Sequence, residues 1–78
     1  MNEEERLRQE LLDLDRRREH LDRQLEDAVL RQRYAPSPAE HEPARSDEQR
    51  LLAEMDRLMT RIRAVEGKIL QARKGVRS

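Results

Sequence analysis

With 78 residues, 35% of them hydrophobic and 44% charged, the chain is long enough for one domain at most. It carries a single aromatic residue, Tyr34, and no cysteine. That excludes an aromatic-rich globular core, a disulfide framework, a thiolate metal site and a thiol nucleophile. The 17 basic and 17 acidic residues cancel, which removes the simplest electrostatic case for nucleic acid or an anionic membrane as partner.

The first element opens on Asn2, a good N-cap, with Glu5 three residues later as its capping-box partner. Glu3, Glu4 and Glu5 place carboxylates at the positive end of the helix dipole. The same acidic opening is unlike a signal peptide, and no apolar run approaches a membrane span. Leu7, Leu11, Leu14, Leu21, Leu25 and Ala28 then recur by fours, threes and one seven, the spacing that keeps one face against a partner helix. This predicts a helix over about residues 3–34, ending where Pro36 biases Ala35 away from helical geometry.

Residues 35–45 contain Pro36, Pro38 and Pro43 and are expected to form a connecting loop. Ser46 with Gln49 reads as a second capping box, so the second helix is expected over about 47–74. Its apolar positions are Leu51, Met55, Leu58, Ile62, Val65, Ile69, Ala72 and Val76. Arg73 and Lys74 suit the negative end of the dipole, and Gly75 is a natural C-cap. Gly67 falls on the outer face and weakens the helix modestly, by about 1 kcal/mol relative to Ala.

Charge orients the two helices. Residues 1–15 hold six acids and two bases, whereas 67–78 hold four bases and no acid. Antiparallel pairing within one chain sets these ends side by side, while parallel pairing of like helices opposes like charges. If facing residue numbers add to about 83, Leu25 meets Leu58, Leu21 meets Ile62, Leu14 meets Ile69 and Leu11 meets Ala72. Arg18 then meets Val65 and reaches towards Glu66 with its stem over the seam. The fold class is therefore all-α: an antiparallel two-helix hairpin of coiled-coil type.

Leu12, Val29, Leu52, Met59 and Leu70 widen the apolar stripe beyond the strict seam, and Met55 adds an adaptable side chain. A stripe this wide suits more than two helices, and a chain this short usually needs a further source of stability. Two hairpins are expected to pair into a four-helix bundle, or one to dock on a larger protein. The candidate partner-binding residues are Leu12, Val29, Leu52, Met55, Met59 and Leu70.

Other chemistry is sparse. His20 and His41 lack the spacing that would put two imidazoles on one metal, so both read as solvated, and no metal or cofactor is expected. Arg16, Arg17 and Arg23 offer a phosphate-binding patch on the first helix, the basis for an alternative reading as a nucleic-acid-binding helical dimer. No aromatic stacking platform accompanies them, and Glu19, Asp22, Glu26 and Asp27 balance them. Tyr34 beside Pro36, Ser37 and Pro38 reads as an aromatic helix stop, with a short recognition element as the other possibility.

Two resemblances add to this reading. Leu7 through Asp15 resembles the opening helix of all-helical chorismate mutases, which implies a three-helix protomer with Arg and Lys binding substrate carboxylates. This chain has no third helix to complete such a site. Glu19 through Glu26 is similar to the first-helix pattern of the small YdcH-like bacterial helical hairpins, and Leu58 through Ile69 is similar to their second helix in spacing. The connection here is longer, and Ala53 through Arg57 stands where that family has a Lys-rich segment. The resemblance implies a hairpin fold and no activity. Arg-rich, Lys-poor usage points to a GC-rich bacterial genome. The expectation is a soluble cytoplasmic, non-catalytic interaction module without a small-molecule substrate: an adaptor, small chaperone-like subunit or assembly factor.

Overall fold

The computed structural model describes residues 2–77, with side chains as far as Lys74. Among these residues the regular structure is two helices, α1 at Glu3–Tyr34 and α2 at Pro38–Arg77. They pair antiparallel along their length into a rod of 62 × 16 × 13 Å. This is the all-α hairpin that the two heptad stretches predict.

The start of α1 follows its sequence. Asn2 is extended, with φ −82° and ψ 174°, and its Oδ1 accepts the Glu5 N–H at 2.8 Å. The expected end-to-end attraction is also present: Arg73 donates from Nε to Glu4 Oε1 at 3.0 Å, and Arg8 reaches the same oxygen at 3.2 Å.

The connection differs from the sequence expectation. Ala35, Pro36 and Ser37 alone separate the helices, and residues 38–45, expected as loop, are helical. Each proline has a position that permits this. Pro36 lies in the turn and holds Ala35 extended, at φ −65° and ψ 130°. Pro38 is the first helical residue, where its missing N–H is not needed. The Ser37 carbonyl accepts the Glu40 and His41 N–H groups at 3.1 and 3.2 Å and opens the helix. Pro43 withholds one bond from the Ala39 carbonyl, but both residues are exposed and water can serve that oxygen. Ser46 is therefore interior to α2 rather than its cap. At the other end α2 continues through Gly75 to Arg77, since a glycine within a helix costs only about 1 kcal/mol. The side chains of Val76, assigned from the sequence to the seam, and of Arg77, one of the four bases of residues 67–78, lie outside the described residues.

The short turn changes the register. Glu4 meets Arg73, Glu10 meets Arg61, Arg31 meets Asp47, and Gln32 meets Glu48. These partner numbers add to between 71 and 80, about one heptad below the expected 83. Leu7 is thus level with Ile69, Leu14 with Ile62, and Leu11 with Val65. The seam also runs further than the leucines suggest. Burial at four- and three-residue steps continues back through Leu51, Glu48, Ala44, His41 and Ser37.

The core lies towards the chain ends. Leu7, Leu14, Leu58, Ile62, Val65 and Ile69 form one cluster, with Leu11, Leu21, Met55 and Met59 packed against it. Val65 is wholly enclosed. Full burial of one such side chain contributes about 1.5–3 kcal/mol. Nearer the turn the seam thins to Ala28 and Ala44, followed by the polar pair Gln32 and Glu48. Arg18 occupies a seam position level with Leu58, not Val65. It turns to Asp15, 3.8 Å away, rather than to Glu66, and its Nε is enclosed without a hydrogen-bond partner.

Candidate interaction surface

The hairpin has two unlike flanks, and heptad position decides which residue lies on which. Residues that immediately precede a seam position include Glu10, Arg31, Asp47 and Arg61. Glu10 pairs with Arg61 across the helices, with Arg61 Nε 2.9 Å from Oε1, and Arg31 reaches Asp47 at 3.4 Å. These contacts identify one flank and show that it is polar. Residues that immediately follow a seam position on either helix must then share the opposite flank.

Five of the six residues singled out from the sequence are of this second kind: Leu12, Val29, Leu52, Met59 and Leu70. On α2 the intervals from Leu52 to Met59 to Leu70 are seven and eleven residues, which keeps them within about 20° of one another around the axis. In the observed register the order from the chain ends towards the turn is Leu70, Leu12, Met59, Leu52, Val29. The row spans about 35 Å at 1.5 Å per residue. Leu12, Leu52 and Leu70 are 52%, 51% and 57% exposed, and Val29 and Met59 are half-buried. Met55 does not belong to the row. It is a half-buried seam residue packed against the core, because it sits at the four-residue step between Leu51 and Leu58.

The charges on this flank differ between the helices. Asp15, Glu19, Asp22 and Glu26 follow seam positions on α1, outnumbering Arg8 and Arg33. Arg45, Arg63 and Arg73 follow seam positions on α2, and Glu42, Asp56 and Glu66 balance them. The α1 strip is acidic and the α2 strip is balanced.

On the polar flank a groove of about 710 Å³ runs between the helices. Its floor is Leu14, Leu21 and Leu58, and Arg16, Arg17 and Arg57 stand around it. Of the arginines read from the sequence as a phosphate patch, Arg16 and Arg17 are here, while Arg23 is exposed and takes no part in the groove. Arg57 and Arg61 were not legible as companions, since only the pairing register brings them beside α1. His20 also borders this groove, whereas His41 is half-buried in the first turns of α2. Among the described residues no cluster of three or more His, Cys, Asp or Glu side chains could hold a metal ion. No helix among them is long and apolar enough to cross a membrane.

At the turn, Leu30, Tyr34, Pro36 and Pro43 line an apolar notch of about 600 Å³. Tyr34 is the last residue of α1 and is 71% exposed. Tyr34 and Pro36 were singled out from the sequence, whereas Leu30 escaped notice because it does not continue the seam spacing. No family model, curated protein or solved structure matches the chain.

Proposed function

We propose that this hairpin is a non-catalytic interaction module that pairs with a second copy of itself through the leucine row. The observation that carries the reading is the placement of Leu12, Leu52 and Leu70, each about half exposed, on one flank of a rod only two helices thick. Scattered surface leucines need no explanation, but a row on one flank does. A second copy brings a matching row of Leu12, Leu52 and Leu70 to cover the first. Turning one hairpin about its long axis lays the flank of each α1 over the flank of the partner's α2. Every neighbouring pair of helices is then antiparallel, in a four-helix bundle. The dimer serves in the cytoplasm as an adaptor, small chaperone-like subunit or assembly factor.

Light scattering coupled to size exclusion tests the pairing. The expected mass is twice the 9.3 kDa of the chain. The double variant L52E/L70E should run as a single chain while keeping its helical circular dichroism. A wild-type protein that stays monomeric and folds cooperatively would sink the bundle.

A further inference from the structure

We infer that the groove on the polar flank is a docking site for an acidic amphipathic helix of another protein. Its floor of Leu14, Leu21 and Leu58 is apolar, so the occupant must bring apolar side chains. Its rim is basic and unspent. Arg61 is engaged by Glu10, but Arg16, Arg17 and Arg57 make no ion pair among the described residues. Glu54 is the one acid lining the groove.

Guanidinium groups stand on both sides, Arg16 and Arg17 from α1 and Arg57 from α2. A helix carrying Leu at i, i+3 and i+7 with Asp or Glu on both edges satisfies floor and rim together. A nucleic-acid strand would meet the arginines but leave the leucine floor uncovered, and no aromatic side chain stands there to stack a base. The groove extends from the level of Leu14 to that of Gln24, about 15 Å or roughly three helical turns. A partner segment of about ten residues fills it. This surface lies opposite the leucine row, so pairing of two copies leaves it open.

Three labelled probes test the assignment by fluorescence anisotropy at physiological salt. One is a 14-residue helical peptide with a Leu face and Glu edges, one the same peptide with Lys edges, and one a single-stranded RNA oligomer. The Glu-edged peptide should bind at least tenfold more tightly than either of the others. R17E/R57E should weaken it at least tenfold, and the milder R16Q/R17Q should weaken it measurably if the first variant loses its helical signal. L52E/L70E should leave its binding unchanged, which separates this groove from the dimer surface. Equal binding of the Lys-edged peptide overturns the proposal, as does tighter binding of RNA or no binding of the Glu-edged peptide. Loss of self-association in R17E/R57E overturns it too, because the groove would then belong to the contact between copies.

Discussion

Gln32 donates from Nε2 to Glu48 Oε2 at 2.7 Å, and both residues occupy seam positions. A carboxylate between helices is tolerated only with a donor in place, so this pair specifies register where the seam has little bulk. Gln32→Ala should lower unfolding free energy by about 1–2 kcal/mol, because it leaves a half-buried carboxylate without its partner. Urea denaturation followed by circular dichroism measures this. An unchanged midpoint would mean that water already satisfies Glu48.

Gly67 faces open space: a Cβ built there meets nothing within 4 Å. Gly67→Ala should therefore gain helix propensity without a clash, raising stability by about 0.5–1 kcal/mol. The melting temperature should rise, with the oligomeric mass unchanged.

Arg18 holds a seam position with its Nε enclosed and without a hydrogen bond. Arg18→Leu removes that group and adds apolar contact level with Leu58. We expect a gain of about 1 kcal/mol, the low end for an unsatisfied group because the side chain is still 43% exposed. Thermal unfolding checks it; a lower melting temperature would show that the arginine supports the fold in a way its contacts do not display.

The hydrogen bond from Arg73 holds the Glu4 carboxyl below the usual glutamate range; desolvation opposes it, and the Arg8 and Arg73 charges and the Arg8 hydrogen bond add to it. A group whose folded pKa lies below its unfolded value stabilises fully above the unfolded pKa and loses that contribution as pH falls through the folded one. The ends of the hairpin should accordingly loosen as pH drops below the ordinary glutamate range. Glu4→Gln should flatten this acid-side slope in a melting-temperature series against pH, by lowering the neutral-pH value slightly while leaving the acid one unchanged. An identical slope in the variant would place the acid sensitivity elsewhere.

Much of the architecture is readable from side-chain spacing alone. Leu7, Leu14, Leu58, Ile62, Val65 and Ile69 are bulky and regularly placed, and every one is buried. The opposite charges of the two ends anticipate Glu4 beside Arg73. What escapes is the stretch where the same spacing is carried by residues that do not look like a core. Ser37, His41, Ala44 and Glu48 keep the four-three step, but they are small or polar and interrupted by Pro38 and Pro43. Proline weighs against a helix in general, but little at the first helical position. The one-heptad register shift follows directly, because a turn of three residues cannot place the helices where a loop of eleven would. Every member of the leucine row was legible as excess hydrophobicity, and Met55, singled out with them, proved to be a seam residue. That it occupies one flank depends on register and hand, which spacing within a single helix does not contain. The groove was half legible, as Arg16 and Arg17, for the same reason.

The uneven seam also bears on how the hairpin comes together. Zipping outward from the turn meets Ala28, Gln32, Ala44 and Glu48 first, contacts too slight to repay early ordering. The contacts that do repay it join Leu14 with Ile62 and Leu7 with Ile69, which lie 48 and 62 residues apart along the chain. Closing so long a span before the reward arrives costs entropy that grows with the logarithm of its length. The uneven seam thus predicts a rate-limiting encounter between the distant arms, with the turn-proximal half locking after the far ends have met; mutations at Leu14 or Ile62 should then slow folding more than mutations at Ala28 or Ala44.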